Sequence, residues 1–274
     1  MIDDAIEPFL TVETGEAYQP IRLTYALHDH SSLLQKLNTL KCIQKSLSRD
    51  AWAWYWRNEC SHAPFQAMVE FFCNLQKNEI RLATLNIQDN KLYVYLPSFK
   101  RACLALAFFH FMIDPEIATL QHSDFINKIY NIHEPLPRGF ADLFNEQELN
   151  QHSIDRVTEY LKVMKMCAHT QEPEDAMHIF LENEAKWNIP YAERYVFHPD
   201  ENDFERLFLT FYTFLRTREL VALKHWIGET DYNFSDVTKE TAENILASSA
   251  NPQKKAETFF GLGALFQGYF GTSY

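Results

Sequence analysis

Glycine is the residue that most limits what this chain can fold into. It occurs seven times in 274 residues, under half of the roughly 7% share of ordinary proteins. Gly261, Gly263, Gly268 and Gly271 fall near the C-terminal end, and none occurs between Gly15 and Gly139. A fold that cradles phosphate on backbone N–H groups needs glycine where a strand turns into a helix, since only glycine allows so close an approach. Dinucleotide-binding and P-loop architectures are therefore excluded for most of the chain. With 46% hydrophobic and 23% charged residues, the rest of the composition is that of a globular protein able to bury a sizeable core.

Charge and cysteine usage narrow the partners. The formal net charge is −12. Residues 1–138 hold 13 basic and 15 acidic side chains, whereas residues 139–274 hold 12 and 22. Nucleic-acid affinity comes largely from cationic neutralisation of phosphates, so no nucleic acid is expected as a partner. The longest apolar run, residues 102–113 with His110 inside it, falls short of the roughly 20 residues that cross a bilayer. It reads as a buried helix, and no membrane insertion is expected. The N-terminus is acidic, without the basic-then-apolar pattern of a secretory leader. Cys42, Cys60, Cys73, Cys103 and Cys167 are widely spaced, with no CxxC pair. They read as reduced thiols, and a cytoplasmic location is expected.

Apolar periodicity divides the chain. Phe9–Glu13 and Ile21–Leu27 are β-prone runs. Glu79–Ile87 and Lys91–Leu96 alternate around Asp89-Asn90, which predicts a hairpin over 79–96. Helical spacing is found in Ser31–Leu47, and Arg49–Cys60 and Pro64–Leu75 are read as further helices. Ser98 is placed to cap a helix running to Met112. From Asp114-Pro115-Glu116 onward the pattern reads as successive helices. One follows Ser153, and one carrying Phe204, Leu207, Phe208, Phe211 and Leu215 is apolar nearly all round. The expected fold is α+β and predominantly α. A small strand-containing N-terminal part, with two strand pairs and intervening helices, precedes an all-α C-terminal part. Residues 1–132 form the α+β domain, 133–140 a linker loop, and 141–274 an acidic helical domain ending in a glycine- and aromatic-rich segment, 259–271.

Two groups of residues carry candidate metal chemistry. His28-Asp29-His30 sets two imidazoles around a carboxylate at a strand-to-helix junction, where alternate side chains share a face. The triplet resembles fragments of metal-hydrolase motifs but lacks the further ligands that each requires. As a polar turn, its Asp29 would instead cap the following helix. Glu59 and His62 stand at i, i+3, and Asp175 and His178 repeat the spacing, which resembles part of a di-iron carboxylate bundle. No GxSxG turn is present, and no catalytic nucleophile is assigned.

Partner-binding candidates are aromatic. Trp52, Trp54 and Trp56 crowd one short stretch, and a helix there could not bury every side of it. Phe259, Phe260, Leu265, Phe266, Tyr269 and Phe270 alternate with glycine, a poor autonomous helix but an adhesive surface when docked. The expected function is a non-catalytic protein–protein interaction protein, an adaptor or regulatory subunit. It would need no cofactor, and its partner would be another protein or a second copy of the chain. The alternative is a metal-dependent hydrolase or di-metal oxygenase using His28, Asp29, His30, Glu59 and His62.

Overall fold

The computed structural model of the chain describes residues 8–46, 51–56, 80–137, 139–154, 189–198, 204–234 and 236–237. Its elements are β1 (Ile21–Leu27), α1 (His30–Thr39), β2 (Ile43–Lys45), β3 (Ala51–Tyr55), β4 (Arg81–Gln88), β5 (Lys91–Leu96), α2 (Phe99–Met112), β6 (Ala118–Ile126), a 3-10 turn (Phe140–Leu143), α3 (Glu146–Gln151), β7 (Ser153–Ile154), β8 (Ala192–Val196) and α4 (Phe204–Trp226). The strands form one eight-stranded sheet in the order β2-β3-β4-β5-β1-β6-β8-β7. Neighbours pair antiparallel, except that β7 runs parallel to β8.

This sheet overturns the expectation of a predominantly helical chain with an all-α second part. Both β7 and β8 lie in that part, and β8 pairs with β6 from His122↔Val196 to Ile126↔Ala192. The strand escaped the sequence reading because its centre is Glu193-Arg194, and adjacent opposite charges suggest a solvated surface. Both are buried, Glu193 at 0% exposure and Arg194 at 9%. Successive strand residues point to opposite faces, so each charge finds its partners on its own side. Arg218 of α4 donates to both Glu193 carboxylate oxygens at 3.2 and 3.3 Å, and Arg194 bonds Asp124 at 2.6 Å.

Two further helix expectations become strands. Arg49–Cys60 holds β3 at Ala51–Tyr55, and the three tryptophans obey period two to one residue past its end: Trp52, Trp54 and Trp56 are all buried. Asp114-Pro115-Glu116 closes a turn, in which Asp114 Oδ1 accepts from the Glu116 N–H at 2.9 Å and the Asp114 carbonyl from Ile117 N–H. β6 follows instead of a helix. The helix over Ser31–Leu47 stops at Thr39, and Ile43–Lys45 continues as the short strand β2. The segment Phe9–Glu13 makes only isolated bridges, Phe9↔Asn131 and Thr11↔Ala17. The helix expected over Pro64–Leu75 lies outside the described residues.

One face of the sheet carries the main core. Ile21, Leu23 and Tyr25 of β1 pack in it with Leu33 and Leu37 of α1, Phe108 and Phe109 of α2, and Phe211 and Phe214 of α4. Trp54, fully buried, stacks on Phe108 with ring centroids 4.7 Å apart. Asp89 and Asn90 take φ of 51° and 55°, the left-handed pair of a two-residue turn whose twist suits the β4–β5 hairpin. The Ser98 hydroxyl caps α2 by accepting from the Arg101 N–H. α4 ends on Gly228, φ 94°, with Glu229 N–H bonded to the Lys224 carbonyl and Gly228 N–H to that of His225. This is the paired closure that satisfies a helix's last carbonyls. Among the described residues no helix is long and apolar enough to cross a membrane.

Candidate functional site

The other face of the sheet is polar at its centre. Tyr95 of β5, Arg22 of β1, Asp124 of β6 and Arg194 of β8 stand in one cross-strand row, paired Arg22↔Tyr95, Arg22↔Asp124 and Asp124↔Arg194. Asp124, at 0% exposure, is bracketed by two guanidinium groups. Arg22 Nε and Nη2 reach its Oδ2 at 2.8 and 2.5 Å, and Arg194 Nε reaches its Oδ1 at 2.6 Å. Glu146 of α3 closes the group, accepting from Arg22 at 2.5 Å and from Arg194 at 2.8 Å. Arg194 also donates to Asn150 at 2.8 Å. Arg22 lies beside the rings of Tyr93 and Phe144, 5.4 and 5.0 Å from their centroids.

Two positive and two negative groups thus neutralise one another. A buried ion is tolerated only when its desolvation is matched by charge and hydrogen bonds, and here both acids are met. Burial pushes the Glu146 carboxyl up, but the hydrogen bonds from Arg194 and Arg22 outweigh it and hold the group at about 2. His122, one step along the same face, is driven down to about 4 by burial, with Arg194 and Arg22 opposing its charge and Asp124 favouring it. The cluster clamps α3 to the sheet. Leu143, Phe144 and Leu149 pack beside it with Tyr95, Ile126, Tyr130 and Ala192 as a second core.

Open space begins where this clamp ends. One cavity of about 390 Å³ is walled by the arm Leu10–Glu13, by Tyr18, Arg81–Thr84, Tyr95, Pro97 and Arg101, and by Leu136 and Phe140. A neighbouring cleft of about 380 Å³ is walled by Gln44, Lys45, Ser46, Ala51–Ala53 and Tyr55. Arg81 and Thr84 belong to both walls. The exposed Arg81 guanidinium donates to Thr84 Oγ1 at 2.6 Å, and meets no carboxylate among the described residues. Its backbone is held from behind, because buried Arg101 of α2 donates to the Arg81 carbonyl at 2.7 Å. Arg101 is fixed in turn by Glu16 at 3.2 Å and Thr14 at 3.1 Å. Although burial pushes the Glu16 carboxyl up, the Thr14 hydroxyl, the backbone and Arg101 hold it below its ordinary value.

Of the described residues singled out by the sequence, Trp52 lines the smaller cleft and the others lie away from both cavities. Asp29 caps α1, accepting from the Ser32 N–H at 3.0 Å and its hydroxyl at 2.6 Å, and these bonds lower its pKa. His28 pairs with the Thr119 hydroxyl at 2.8 Å, and His30 opens α1. Among the described residues no group of three or more His, Cys, Asp or Glu side chains is disposed to hold a metal. Trp52, Trp54 and Trp56 are in the core, so they offer little surface to a partner. His110, expected inside the core, is exposed and stacks on Phe204 with centroids 3.9 Å apart. Cys42 and Cys103 are buried and unbridged. Glu59, His62, Asp175, His178, Phe259, Phe260, Leu265, Phe266, Tyr269 and Phe270 lie outside the described residues. Arg81, Arg101 and the Arg22–Asp124–Arg194–Glu146 clamp were not singled out in the sequence. Strand alternation in Ile21–Leu27 and Arg81–Gln88 is the signal that places Arg22 and Thr84 opposite the apolar positions.

No protein-family model, curated protein or solved structure matches the chain.

Proposed function

We propose that this chain is a protein–protein interaction module without catalytic chemistry of its own, and that its docking surface is the pair of clefts that meet at Arg81. The observation that carries this reading is the contrast between the two polar regions of one sheet face. The buried charges at Arg22, Asp124 and Arg194 and the exposed Glu146 are spent on one another. Arg81 instead stands at the junction of two open cavities with a single side-chain hydrogen bond among the described residues. An arginine flanked by tyrosine and exposed leucine has the composition of an interface centre, where arginine and aromatics are enriched. Leu136, 40% exposed, stands on the rim beside Phe140.

Site-specific photocrosslinking tests the assignment. Benzoylphenylalanine at exposed Gln44, on the cleft wall, is expected to give a discrete adduct with another protein or a second copy, and R81E is expected to remove it. An adduct of equal yield in the R81E background, or an equally strong one from exposed Glu229 beyond α4, would contradict the reading.

A further inference from the structure

The two cavities differ in lining, and the difference specifies a ligand. The larger is mostly apolar, with Leu10, Val12, Leu82, Ala83, Leu136 and Phe140 among its walls. Its volume of about 390 Å³ lies in the range of roughly 300–1,000 Å³ typical of sites that bury an apolar group. The smaller is polar, with Gln44, Lys45, Ser46 and Thr84 in its wall. Arg81 stands between them, its carbonyl anchored by buried Arg101. On an arginine, one bond to Thr84 leaves most of the five N–H donors unspent among the described residues, and the guanidinium fork matches a carboxylate edge.

We infer that the clefts receive an extended peptide segment of a partner protein, with a carboxylate on Arg81 and an adjacent large apolar side chain in the cavity beside Leu136 and Phe140. This deepens the docking reading above and rests on it. A compact ligand would fill one cavity and leave the other empty, whereas an extended chain can enter both across Arg81. Charge complementarity selects the acid: the walls carry Arg81, Lys45 and Arg101 against one carboxylate, Glu13, on a chain whose net charge is −12.

The probes are fluorescein-labelled octapeptides of serine and glycine carrying a central glutamate–leucine pair, in both orders. Matched controls replace the glutamate by glutamine or the leucine by serine. Fluorescence anisotropy with the full chain is expected to show the better glutamate–leucine peptide binding at least tenfold more tightly than either control. R81Q is expected to abolish the preference for glutamate over glutamine while keeping that for leucine over serine. L136S, at an exposed position that leaves the core intact, is expected to do the reverse. If R81Q keeps the glutamate preference, or if none of the peptides binds, the inference is wrong. The Gln44 crosslink then decides separately whether the docking surface stands.

Discussion

Arg22 on β1 and Asp124 on β6 are register partners across the centre of the sheet, and their side chains join as well, through Arg22 Nη2 and Asp124 Oδ2 at 2.5 Å. Backbone pairing and ion pairing thus fix the same alignment, and Arg194 extends it to β8. Replacing Asp124 by Asn leaves two buried guanidinium groups short of a counter-charge. The expected loss is about 3–5 kcal/mol of unfolding free energy, read from the urea midpoint. Glu146→Gln, at a side chain 59% exposed, is expected to cost about 1 kcal/mol or less.

Acid should weaken the fold in two separable windows. His122 is ordinarily at 6.5 and is lowered to about 4 by burial, so the unfolded chain takes up a proton first. Its contribution is complete above pH 6.5 and is lost as pH falls towards 4. Glu146, lowered from 4.5 to about 2 against its burial by Arg194 and Arg22, contributes fully above 4.5 and loses that contribution as pH falls through 2. Urea midpoints measured from pH 7 to pH 2 should show the upper decline flattened in H122Q and the lower one in E146Q.

Trp54 should matter for stability and not for docking. It is fully buried against Phe108 and Phe109, at 4.7 and 5.4 Å between centroids. Trp54→Ala is expected to destabilise by about 3–5 kcal/mol. W54F, which keeps an aromatic ring, is expected to cost less and to leave octapeptide affinity unchanged. A W54F protein that melts like the parent but no longer binds would return the tryptophan to the interface.

The β4–β5 turn can be improved. Asp89 and Asn90 both hold positive φ, a conformation with a steric cost for side chains that glycine avoids. Asn90→Gly produces the Asp-Gly pair favoured in such hairpins. It should stabilise by up to about 1 kcal/mol, visible as a higher urea midpoint with an unchanged slope.

What the sequence revealed, and what it concealed, follows from burial. Period-two runs bounded by turn residues were legible, as in Ile21–Leu27 and the hairpin around Asp89-Asn90, and so was the α2 cap at Ser98. Trp52, Trp54 and Trp56 fit both i, i+2 and i, i+4 spacing, and only the partner strands β2 and β4 decide between them. β8 was hidden because Glu193 and Arg194 are charges satisfied by residues distant in sequence, Arg218 and Asp124. The candidate site was illegible for the same reason. Arg81 gains meaning only from cavity walls contributed by the N-terminal arm, two hairpin strands and the loop at Leu136, which no local spacing brings together.

The most direct test of the docking assignment is a nuclear magnetic resonance titration of the isotopically labelled full chain with the unlabelled glutamate–leucine octapeptide. Amide shifts are expected to move in a saturable way at Val12, Arg81, Thr84 and Tyr95, with Ile227 and Tyr232 beyond α4 unchanged. No saturable shifts, or shifts gathered around the exposed side chains of Ile132, Tyr191 or Ile227 with the cleft silent, would contradict the account.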